Sequence, residues 1–115
     1  MAEKEPAGTS PVTDKFDPIR KGLLEFAVLT VISGKKVYAA DILAILMATE
    51  LQTQEGTLYP LLSRMRREGT VEYEWVESGT GPPRKYYRLT DKGKEQLSAL
   101  RDYWKKLSQT LSKKL

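Results

Sequence analysis

The chain has 115 residues, 40% of them hydrophobic and 30% charged, with no cysteine and no histidine. That length suits one compact domain. The two missing residue types exclude disulfides, thiolate nucleophiles, zinc-finger or His-based metal sites, an imidazole general base and a Ser-His-Asp triad.

An enzyme would have to run on carboxylates, Lys, Tyr or hydroxyls alone, and no carboxylates cluster at a catalytic spacing. The expectation is therefore a binding protein and not an enzyme, with no metal and no cofactor. The formal net charge of +4 is unevenly placed. Residues 1–57 hold 6 Lys and Arg against 8 Asp and Glu, whereas residues 58–115 hold 13 against 7. A pI near 9.3 with the positive charge in one half points toward an anionic partner. The apolar stretches at 23–32 and 42–47 have the length of core helices and are too short for a membrane span. Glu3 and Glu5 with no apolar run argue against a signal peptide, so a soluble cytoplasmic protein without membrane contact is expected.

Residues 1–16 are rich in Pro, Gly, Ser, Thr and charge, and read as a flexible N-terminal arm. Asp17-Pro18 then signals a helix start, with the carboxylate as cap and proline in the first turn. This helix is predicted to run to about Ser33. It is apolar on more than one face (Leu23, Leu24, Phe26, Val28, Val31, Ile32), so it expects burial on two sides. Gly34-Lys35-Lys36 ends it, and a second helix is predicted over residues 39–49. A third is predicted over 54–68 with Thr53 as cap. Its apolar stripe is Leu58, Leu61, Leu62 and Met65, which leaves Thr57, Tyr59, Ser63, Arg64, Arg66 and Arg67 for other faces. Pro60 requires either a kink or a late start with Thr57 as cap.

After Gly69 the period falls from about 3.6 to 2: Val71, Tyr73 and Trp75 alternate with Glu72, Glu74 and Val76. Ser78-Gly79-Thr80-Gly81-Pro82-Pro83 marks a turn, and residues 84–89 form the return strand of a hairpin. Glu72, Glu74 and Glu77 can pair across it with Arg84, Lys85 and Arg88, which would neutralise part of the basic patch internally. Thr90 opens the last helix. Leu97, Leu100, Trp104, Leu107 and Leu111 fall at steps of 3, 4, 3 and 4, a heptad seam that continues imperfectly to Leu115. Either a second subunit or the first helix covers that seam, or both do.

Three helices followed by a two-stranded wing is the winged helix-turn-helix arrangement, so the fold class expected is α+β, mostly helical, with a C-terminal dimerisation helix. The domains expected are an arm over 1–16, a winged helix over 17–90 and the dimerisation helix over 91–115. In such a domain the third helix can enter the major groove of double-stranded DNA and the wing can touch the adjacent backbone. The candidate DNA-binding residues are Thr57, Tyr59, Ser63, Arg64, Arg67, Arg84 and Lys85. Between Lys36 and Arg64 there is no Lys or Arg, which favours the rival reading, a protein-interaction module with no operator.

The run 55–65, followed by Glu68-Gly69, resembles the recognition-helix signature of PadR-type transcriptional regulators, and the run 84–90 with Gly93 resembles their wing and wing-to-helix junction. The resemblance covers about residues 19–112 and is closest to the short subfamily, which has a single C-terminal dimerisation helix. One departure is Tyr38-Ala39, where the family usually has Tyr-Gly. The resemblance implies a homodimeric repressor on a pseudo-palindromic operator, with Thr57 and Tyr59 near the DNA. It also implies release by a small hydrophobic or aromatic effector, with Trp104 and Leu100 as candidate ligand-binding residues. The alternative for Trp104 is a core knob in the dimer seam.

Overall fold

Pro18 fits the first turn of a helix, where its missing N–H is not needed, and helix α1 (Asp17–Gly34) begins there. The computed structural model describes residues 15–113. The readings of an arm over residues 1–14 and of a seam reaching Leu115 lie outside the described residues. Asp17 does not cap α1. Its carboxylate is paired with Arg20 one turn on, and the Phe16 carbonyl accepts from the N–H groups of Ile19 and Arg20 at 3.0 Å. Phe16 thus serves as the N-cap residue of α1, at the end of the segment read as arm.

Val37–Tyr38 forms strand β1, and helix α2 (Ala39–Met47) follows, stopping two residues before the predicted end. The Asp41 carboxylate accepts from the Tyr38 N–H at 3.3 Å, which satisfies one free donor at that N-terminus. Helix α3 (Glu55–Glu68) starts after Gln54, and no side chain caps it, so Thr53 is not its cap. Pro60 lies inside α3, where it removes the bond that residue 60 would have made to the Gly56 carbonyl and its ring crowds that carbonyl. Gly69 closes α3 at φ 85°, a left-handed conformation that a residue with a Cβ adopts only under strain.

Strands β2 (Val71–Val76) and β3 (Arg84–Leu89) are antiparallel, and β1 pairs with the other edge of β3 to give a three-stranded sheet in the order β1-β3-β2. The third strand was not expected, since two residues carry no alternation to read. Thr90 caps helix α4 (Asp91–Ser112), accepting from the Gly93 N–H at 3.0 Å. Among the described residues, then, four helices pack with one small antiparallel sheet.

The core is shared by all four helices and the sheet. Val28, Leu29 and Ile32 of α1, Ile42 and Leu46 of α2, Leu58, Leu62 and Met65 of α3, Val37, Val71 and Leu89 of the sheet, and Leu97 of α4 are all buried. Each such side chain contributes roughly 1.5–3 kcal/mol by leaving water. The greasy faces of α1 are therefore largely used within the chain, with Phe26 and Val31 only partly covered.

Candidate nucleic-acid interface

Helix α3 turns Leu58, Leu62 and Met65 to the core, which leaves two flanks for solvent. On one flank Tyr59 and Ser63 line a groove of about 420 Å³ together with Tyr38, Trp75, Arg84 and Lys85. On the other, Thr57, Arg64 and Arg67 line a hollow of about 710 Å³ between α3 and α1, with Lys21 and Glu25 opposite. The seven residues singled out in the sequence thus divide into two groups, one on each side of the same helix. Tyr59 is 42% exposed, so its ring is available to a partner without disturbing the core.

The register of the hairpin decides which wing cations are neutralised. Glu72 stands opposite Arg88 and Glu74 opposite Tyr86, whereas Lys85 faces Trp75 and Arg84 faces Val76. Arg88 accordingly donates to Glu72 at 2.8 Å and to Glu74 at 3.0 Å, and Glu74 also accepts from Lys36 at 3.2 Å. The two carboxylates, Glu72 foremost through its hydrogen bond, raise the pKa of the Arg88 guanidinium above its ordinary value. Arg84 and Lys85 form no ion pair among the described residues, nor does Glu77, so the expected pairing holds for Arg88 alone. Arg84 instead lies 4.6 Å from the Tyr38 ring centroid, and the Lys85 ammonium 4.6 Å from Tyr73 and 5.4 Å from Trp75. A cation over an aromatic face keeps its full charge and is attracted by about 0.5–1 kcal/mol at an exposed site. The wing thus presents two oriented, unneutralised cations, and both residues border the groove that holds Tyr59.

The seam of α4 is divided. Leu97 is 3% exposed and belongs to the core of its own chain, and Leu100 packs against that core. Leu107 is half-buried, while Trp104 and Leu111 are 42% and 70% exposed. Trp104 closes one side of an apolar groove of about 370 Å³ lined also by Leu23, Phe26, Val31, Ile45 and Leu51. Leu100 is not part of that lining.

The family of PadR-like transcriptional regulators matches residues 28–99, which is more than half of the chain. The chain belongs to that family. A PadR-like transcription factor from Bacteroides fragilis is 43% identical with a TM-score of 0.73, covering 86% of this chain and 96% of that one. A PadR-like transcriptional regulator from Bacillus cereus is 38% identical with a TM-score of 0.77, covering 84% and 94%. An uncharacterized protein of Lysinibacillus sphaericus is 29% identical over 96 residues, 81% of this chain and 88% of that one.

Membership in the PadR-like family makes the chain a transcription regulator and not an enzyme, and the mostly helical α+β architecture matches the winged-helix folds of its relatives. Among the described residues no helix is long and apolar enough to cross a membrane. Lys21, Tyr38 and Trp75 are not among the candidate DNA-binding residues of the sequence, yet they line the two flanks of α3. Arg66 of α3 lies 4.6 Å from the ring of Tyr73, the cross-strand partner of Tyr87. Alternation along β2 could have flagged Trp75, but nothing local brings Lys21 to α3.

Proposed function

We propose that this PadR-family chain is a homodimeric repressor that binds a pseudo-palindromic operator in double-stranded DNA, in the manner of the short subfamily. The reading sets α3 in the major groove, with Tyr59 and Ser63 toward base edges and Thr57 and Arg67 toward one sugar-phosphate strand. Arg84 and Lys85 of the wing contact the other. The observation that carries it is the groove uniting Tyr59 and Ser63 of α3 with the two unneutralised cations of β3. A chain that exposes Trp104 and Leu111 along one side of a 22-residue helix gains by burying them against a second copy. The groove at Trp104 is apolar and wide enough for a flat aromatic effector, whose binding would shift the separation of the two α3 helices.

The test is binding of purified protein to genomic DNA fragments at physiological salt, then to the selected site. Two-fold sites with half-sites ~34–36 Å apart are expected. Tyr59→Ala should weaken specific binding by about 1–3 kcal/mol, the weight of a base-pair mismatch, without lowering the melting temperature. Sequence-blind binding unchanged by that substitution would overturn the reading and leave the interaction-module alternative.

A further inference from the structure

The first turn of α4 is tied to the end of α3 and to the two residues that follow it. Lys92 Nζ donates to the Glu68 carbonyl at 2.7 Å, at the helix end where carbonyls are free and a cation is favoured. Thr90 Oγ1 donates to the Gly69 carbonyl at 2.6 Å, and the Thr90 N–H donates to the Thr70 carbonyl at 3.1 Å. Gly93 then lies directly against Thr70. A Cβ there would overlap the Thr70 carbonyl group, coming within 3.0 Å of its carbon, so no larger residue lets the two segments approach this closely. Thr70 is itself buried and held by the Met65 carbonyl, to which its N–H and hydroxyl donate at 3.0 and 3.2 Å. One turn further along α4, Gln96 Nε2 donates to Glu25 at 3.2 Å, and the other oxygen of the same carboxylate accepts from Arg64 of α3 at 3.0 Å.

We infer that Thr90, Lys92, Gly93 and Gln96 are positioning residues that hold α3 at one angle to α4, and thereby select the spacing between the half-sites of the operator. The inference rests on the proposed reading, in which α4 joins two subunits and α3 reads DNA. The leverage is geometric. In that dimer the contact is made by the outer half of α4, at Trp104, Leu107 and Leu111, while the joint to α3 lies at its first turn. A tilt of about 10° acting over roughly 20 Å of helix moves the far element by about 3.5 Å. That is close to one base-pair step of ~3.4 Å. Ties on two sides of the joint, one to backbone carbonyls and one through Glu25, resist such a tilt in both directions.

The experiment selects bound duplexes from a library with randomised half-sites and variable spacing, using wild type, the double variant Lys92→Met/Gln96→Leu and the control Lys94→Met. Gly93→Ala is added with a folding check, since it can fail to fold for steric reasons alone. Wild type is expected to choose one spacing. The double variant is expected to keep the half-site sequence but lose about fivefold in discrimination against spacings one base pair away, the weight of one net hydrogen bond. Lys94→Met should retain the wild-type preference, although it removes the same charge. A double variant with the wild-type spacing preference overturns the inference and leaves the operator reading standing. A wild type that selects no two-fold site overturns both.

Discussion

Arg64 and Glu25 stand 39 positions apart in sequence and are joined by a hydrogen bond of 3.0 Å from Nη2 to Oε1. Glu68, one turn along α3, accepts from Nη1 of the same guanidinium at 3.1 Å. The hydrogen bond to Glu25, then that to Glu68, raise the pKa of Arg64 above its ordinary value. An arginine between two carboxylates offers little net charge to a phosphate, whereas Arg67 on the same flank has no carboxylate partner among the described residues. Arg67→Ala should therefore weaken operator binding by about 3–10-fold and reduce the salt slope by about 1. Arg64→Ala should weaken it by about twofold at most, while lowering stability by about 0.2–1 kcal/mol. Fluorescence anisotropy across a salt series separates the two, and equal losses would show that Glu25 and Glu68 release Arg64 on DNA.

The wing offers a parallel contrast. Arg84 lies over Tyr38 with its charge intact, and Arg88 is paired with Glu72 and Glu74. Arg84→Ala should lower affinity for all sequences alike and reduce the salt slope by about 1, as loss of a phosphate contact does. Arg88→Ala should leave the slope unchanged. The same anisotropy series reads both, and a slope that falls with Arg88 but not Arg84 would reverse the assignment.

The two ends of the α4 seam should respond differently to truncation. Leu97 is buried with its own α1, so Leu97→Ala should cost about 2–5 kcal/mol in urea unfolding at any protein concentration. Leu111 is 70% exposed, and Leu111→Ala should change the intrinsic stability of the subunit by no more than about 0.5 kcal/mol. Its effect should appear in sedimentation as weaker self-association. A Leu111 variant that associates like wild type would remove the outer seam from the proposed dimer contact.

Tyr87 supplies a pH signature. Burial, reinforced by the neighbouring Tyr73, raises its phenol above the ordinary tyrosine value, with Arg66 acting in the other direction. The unfolded chain therefore loses this proton first. The stabilisation is complete below the unfolded value of about 10 and is lost as pH rises through the higher folded value. Urea midpoints between pH 8 and 11.5 should fall less steeply for Tyr87→Phe than for wild type. Identical slopes would mean that the phenol titrates as it does in the unfolded chain.

The sequence by itself determined the order of the four helices, the hairpin and the last helix's cap, because those signals act between near neighbours. Gly69 must take a positive φ to end α3, Thr90 reaches the N–H three residues on, and a change of period from 3.6 to 2 marks where a strand begins. Local rules also misplaced two caps. Asp17 found Arg20, and Thr53 lies two residues before the start of α3, so neither helix has a side-chain cap at its N-terminus. Only the tertiary structure decided which charges remain available. Arg88 and Arg64 are neutralised, Arg84 and Lys85 are not, and Lys21 joins α3 from another helix. Composition placed a surplus of positive charge in the second half of the chain. The approach of Glu25 in α1 to Arg64 in α3 and the register of β2 on β3 then selected which of those cations a phosphate can reach, since pairing depends on distance in space and not along the chain.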